Sequence, residues 1–128
     1  MDRSPRSYKD IAAWQKGQEL FVGVMQLIRT LPTQERYWIA PQLGDAALSV
    51  PSNIAEGKGR EHLGEYLHHL SYSRGSANEV ESQLISLRLA NIAPASSTEP
   101  LEALSDEVSR MVYSLAMRLR DRAGRRRG

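Results

Sequence analysis

The chain has 128 residues, of which 41% are hydrophobic and 25% charged, and it has no cysteine. This length suggests one domain and lets the fold bury about two-thirds of the unfolded surface, so neither a disulfide nor a metal is needed for folding. The missing thiols exclude disulfides, thiolate nucleophiles and cysteine-ligated zinc or iron–sulfur sites, and they fit a reducing compartment.

The formal net charge of +2 conceals an asymmetry. The last eleven residues, Arg118 to Gly128, hold six of the 17 basic and one of the 15 acidic residues, a net of +5 against −3 for the remainder. A basic end of this kind attracts phosphate backbones by counterion release, or simply keeps a solvated end soluble. No hydrophobic signal core follows Met1, and no apolar run is long enough to span a bilayer. A soluble, cytoplasmic protein with no membrane partner is therefore expected.

No strand-like alternation persists, whereas helical spacing occurs four times. The first segment opens near Asp10, a side chain suited to an N-cap. It carries Ile11, Trp14, Phe21, Val24, Met25, Ile28 and Leu31 on one face. Leu31-Pro32 ends it, because proline disfavours helical backbone before it. The second segment runs from about Glu35 to Glu56 with a stripe of Ile39, Leu43, Ala46, Ala47, Val50 and Ile54. Pro41 is expected in or near its first turn. Pro51 removes the bond to the Ala47 carbonyl and predicts a kink. Two shorter helices, with Ser49 capping the second, are the alternative. Because the stripe keeps phase across Pro51, one kinked helix is preferred.

Next comes Gly57-Lys58-Gly59-Arg60. It is not a P-loop: the lysine precedes the second glycine, no Ser or Thr follows, and a helix leads into it. Gly57 is expected at a left-handed C-cap, with Gly59 loosening the turn and Lys58 and Arg60 near the negative helix end. Pro51, Asn53, Glu56, Gly57 and Gly59 thus form a structural motif. Gln42, Asn53, Glu56 and Glu79 are expected in a polar network tying the second helix to the first and third, near Lys16, Arg60 and Arg74.

The third segment, about Glu61 to Asn91, has a heptad-like seam of Leu63, Leu70, Ala77 and Leu84, with Tyr66, Val80 and Leu87 between them. Small residues around Gly75 would let another helix approach. A mobile linker is expected over residues 93–100. Thr98 would then cap a fourth helix, with Pro100 in its first turn and Leu101, Leu104, Val108, Met111, Val112, Leu115 and Leu119 on its apolar face. The fold class is all-α: an up-down-up-down four-helix bundle over residues 8–120, with a flexible N-terminus (1–7) and a basic C-terminal tail (121–128). Apolar residues off the stripes, including Leu48, Leu67 and Tyr72, suggest burial between subunits.

Catalytic and metal chemistry find little purchase. Glu65 and His68 make one E-x-x-H pair, but neither His62 nor His69 completes the second that a di-metal bundle needs. No serine lies in a nucleophile elbow. No catalytic residue, metal or cofactor is expected.

Four stretches, "YKDIAAWQK" (8–16), "LPTQERYWIAPQL" (31–43), "AALSVPSNIAEGKGR" (46–60) and "EYLHHLSYSRGSANEVESQL" (65–84), resemble in content and order the four-helix bundle protein family, also called the intervening-sequence or S23-like ribosomal protein family. The resemblance implies an up-down bundle assembling as a ring-shaped homopentamer, with no catalytic residues. A related bundle, the accessory protein of diversity-generating retroelements, binds nucleic acid and a reverse transcriptase. A homo-oligomeric adaptor for RNA or DNA is therefore the leading expectation. Lys58, Arg60, Arg118, Arg120, Arg122, Arg125, Arg126 and Arg127 are its candidate contacts. The alternative is a protein scaffold, such as an accessory subunit of a reverse transcriptase or another encoded neighbour. One departure bears on the choice: Gly44-Asp45 stands where family members usually carry a basic pair, and Trp38 where a small residue is usual.

Overall fold

The computed structural model describes residues 7–127, without the side chain of Arg127. A single 3-10 turn, Tyr8–Asp10, precedes α1 (Ala12–Thr30), α2 (Thr33–Lys58), α3 (Leu63–Leu89) and α4 (Ala95–Arg127). There is no strand among the described residues. Each helix packs on its neighbours in the chain, and α1 closes the ring against α4; among the described residues the backbones of the diagonal pairs stay apart. Connections this short force consecutive helices antiparallel. The result is the expected four-helix bundle, and its axis is filled by Leu20, Val24, Leu43, Val50, Ile54, Leu70, Val80, Leu84, Val108 and Val112. Among the described residues no helix is long and apolar enough to cross a membrane. The expected flexible segment 1–7 lies, apart from Ser7, outside the described residues.

Several local expectations are corrected. Asp10 does not cap α1. It ends the 3-10 turn, which Ser7 caps by accepting from the Lys9 amide at 3.1 Å. Ile11 occupies the N-cap position without a side-chain bond. Its burial in the core, at 5% exposure, fixes the chain entry in place of a polar cap. Pro41 stands beyond the first turn, because α2 already begins at Thr33. The helix runs unbroken through Pro41 and Pro51. Pro51 is buried beside Gly17, where a β-carbon on the glycine would lie 3.5 Å from the proline ring.

The segment 93–100 is no linker. α4 starts at Ala95 and takes in Thr98 and Pro100, the first buried and the second exposed. Thr98 is therefore a core residue and not a cap. The connection is closed at its α3 end by Asn91, whose φ of 58° is the left-handed value a helix C′ residue adopts. The Ile92 amide donates to the Leu87 carbonyl at 2.9 Å and the Asn91 amide to that of Arg88 at 3.1 Å, the bonding pair of a Schellman turn. At the other end α4 continues as helix to Arg127, so the arginine-rich residues 121–127 extend the bundle.

Candidate nucleic-acid interface

The motif around Pro51 is a packing and hydrogen-bonding device between α2 and α3. Buried Ser73 donates to the Val50 carbonyl at 2.7 Å. Ser49 and Ser76 hydroxyls meet at 2.9 Å. The Asn53 amide nitrogen donates to both the Ser49 carbonyl and hydroxyl, each at 2.9 Å. Its carbonyl oxygen therefore faces His69 Nδ1, 3.0 Å away, which must carry the proton to donate there. Glu56 Oε2 lies 3.6 Å from the same nitrogen. Of the expected network only Asn53 and Glu56 take part, and their partners are Ser49 and His69; Gln42 is exposed, Glu79 accepts from Gln83 within α3 at 3.0 Å, and α1 is not reached. Lys16 instead pairs with Glu19 at 3.3 Å and lies 3.9 Å from Glu107 on α4. Arg74 stacks over Tyr113 at 4.5 Å.

Gly57 serves this seam differently from expectation. No glycine among the described residues has positive φ, and Gly57 is buried within the last turns of α2. A β-carbon there would meet Tyr66 Cδ1 at 2.8 Å, His69 Cβ at 2.9 Å and the Tyr66 carbonyl at 3.2 Å. Glycine is required because α3 approaches that closely. The cap is Gly59, in right-handed conformation, whose amide donates to the Ala55 and Glu56 carbonyls at 3.2 Å.

This close approach sets the α2–α3 turn at one end of the bundle, where α4 overhangs. At 1.5 Å per residue, α4 with 33 residues spans about 50 Å and α3 with 27 about 40 Å. Between the overhang, the turn and the start of α1 lies an open cleft of about 520 Å³. Lys58 and Arg60 line it from the turn, and Arg118, Arg122 and Arg126 from α4. The three α4 arginines stand four apart, so they share one stripe, each about 6 Å further along the axis. Asp10 and Glu61 also line the cleft, leaving five cationic against two anionic side chains. The floor is apolar: buried Ile11, with half-buried Leu63, Tyr66, Leu115 and Leu119. Burial pushes the Tyr66 hydroxyl pKa up from its ordinary value.

Five of the eight candidate contacts, distant in sequence, thus converge on one cleft. Arg120 and Arg125 are exposed but do not line it, and the side chain of Arg127 lies outside the described residues. Sequence reading missed the apolar floor, although Leu115, Leu119 and Ala123 continue the α4 stripe into the basic stretch. His68 Nε2 meets the Tyr72 hydroxyl at 2.9 Å, and no group of three or more metal-ligating side chains occurs among the described residues. A β-carbon at Gly44 would lie 3.9 Å from Met25 Sδ and 4.0 Å from Ile28 Cδ1 of α1, so a side chain fits there, and Asp45 is exposed.

The fold is a small antiparallel four-helix bundle with two prolines inside its second helix. The chain belongs to the 23S rRNA-intervening sequence protein family, which it matches over residues 9–114. The match ends before Arg118, so the basic end of α4 lies outside it. In fold the chain is similar to a crystal structure from Bacteroides thetaiotaomicron of a protein of unknown function from the S23 ribosomal protein family. The TM-score is 0.76 at 20% identity, covering 82% of this chain and 98% of that one. No curated protein matches.

Proposed function

We propose that this protein is a cytoplasmic, non-enzymatic, homo-oligomeric adaptor that binds RNA through the basic cleft at the α2–α3 end. The observation that carries the reading is the convergence of Lys58, Arg60, Arg118, Arg122 and Arg126 on one recess. Arginine rows complementing a helix C-terminus explain part of this charge. Lys58 and Arg60 complement the end of α2 in the same way, but that attraction does not require the two sets of cations to share one recess. The family's association with ribosomal RNA genes supports RNA over DNA, as analogy.

Oligomerisation is supported by large apolar side chains left on the surface, among them Leu48, Tyr72 and Tyr113. A protein partner, such as a reverse transcriptase, is the second reading. Adjacent Tyr37 and Trp38 favour it, 86% and 54% exposed, since aromatic groups are enriched at interface cores.

The test is fluorescence anisotropy of a labelled mixed-sequence RNA at rising salt. Each phosphate contact on a single strand contributes about −0.7 to the slope of log K on log salt, so five contacts give about −3.5. Replacing Arg118, Arg122 and Arg126 by Gln shallows the slope by about 2. No anisotropy change at about 50 mM salt would sink the reading.

A further inference from the structure

We infer that the cleft takes an unpaired nucleotide of single-stranded RNA, its base over the apolar floor and its flanking phosphates on the basic rim. This rests on the RNA-adaptor reading and narrows it.

The division of the cleft is the reason. Four of its five cations, Arg60, Arg118, Arg122 and Arg126, are exposed, whereas Lys58 and the apolar lining residues Leu63, Tyr66, Leu115 and Leu119 are half-buried. A duplex keeps its base faces stacked inside and offers this surface phosphate, sugar and base edges. It would meet the rim and leave the floor empty. An unstacked base fills a recess and covers apolar surface, and an aromatic ring adds stacking that any base satisfies. The volume, about 520 Å³, lies within the range of small-ligand sites. Arg118 and Arg126 stand about 12 Å apart along the helix axis, so the row flanks the recess on α4.

The test compares a labelled 12-nucleotide RNA with the same strand annealed to its complement, by anisotropy at one salt concentration. The single strand is expected to bind at least tenfold more tightly. Tyr66→Leu should weaken single-strand binding about fivefold or more and leave duplex binding unchanged. Because Tyr66 also packs near Gly57, a second variant is needed. Ala123→Leu narrows the recess from a half-buried position near the end of α4, without changing charge. It should weaken the single strand selectively too, with an unchanged salt slope. Equal affinity for strand and duplex, with both variants silent, overturns the recess while the basic-rim reading stands. Tighter duplex binding overturns it as well. Binding of neither RNA overturns both readings and leaves the apolar floor to a protein partner.

Discussion

Gly57→Ala sets two known effects against each other. On helix propensity alone, alanine is favoured over glycine in a helix interior by about 1 kcal/mol. The packing opposes it. The new β-carbon would lie 2.8 Å from Tyr66 Cδ1, 2.9 Å from His69 Cβ and 3.2 Å from the Tyr66 carbonyl. Relaxed carbon–carbon contact is about 3.5–4.0 Å. The Tyr66 ring can swing away, but His69 Cβ and the carbonyl move only with the α3 backbone. Overpacking of this kind costs about 1–3 kcal/mol, and two rigid neighbours place it in the upper half of that range. It also draws His69 away from Asn53. The net expectation is a loss of about 1–2 kcal/mol, or a Tm fall of about 3–8 °C for a domain of this size. Gly75→Ala is the control. That glycine has nothing within 4 Å of its β-carbon position, so propensity acts alone and stability rises by up to about 1 kcal/mol. Paired thermal and urea unfolding decide the matter. If Gly57→Ala is neutral or stabilising, the close-approach account of this glycine is wrong.

Other substitutions test separate pieces. Asn91→Gly should stabilise by a few tenths of a kcal/mol to about 1 kcal/mol, because glycine adopts the left-handed cap without strain, and Asn91→Val should destabilise; urea midpoints report both. Ser73→Ala removes the donor to the Val50 carbonyl and should cost about 1 kcal/mol in the same assay. Asn53→Leu strands the His69 Nδ1 proton and should cost about 1–3 kcal/mol. Glu102 accepts two Arg88 hydrogen bonds at 3.0 Å, and these hold its carboxyl below the usual range. A lowered folded pKa contributes stability that is full above the unfolded value of about 4.3 and fades as pH falls through the folded one. Glu102→Gln should therefore lower stability at neutral pH and flatten its loss on acidification, read from unfolding midpoints between pH 7 and the acid limb.

The helices themselves were legible, because a 3.6-residue apolar period reports what a bundle core must bury. The stripe across Pro51 correctly indicated one helix, since a proline costs a single bond while the stripe buries several side chains. Errors fell where local chemistry gave one answer and tertiary contact another. Asp10 is a better cap than Ile11 in isolation, but the core takes Ile11. Thr98 reads as a cap, yet it is buried, as are Ser105 and Ser109 on the same helix. Ser105 turns back to the Leu101 carbonyl at 2.8 Å and Ser109 to Asn78 at 3.2 Å. Gly57 next to a lysine and a second glycine suggests a turn, and only the approach of α3 shows why a side chain is excluded. The cationic residues were visible as two clusters about 60 residues apart. Their meeting depends on antiparallel topology bringing the end of α4 beside the α2–α3 turn, and on α4 outlasting its neighbours.

Ultraviolet crosslinking of bound single-stranded RNA, followed by peptide mapping, tests the central claim most directly. The account predicts crosslinks in segments 58–66 and 115–126, lost when Arg118, Arg122 and Arg126 are replaced by Gln. Crosslinks concentrated instead at Tyr37 and Trp38 would contradict it, and would place the RNA at the opposite end of the bundle.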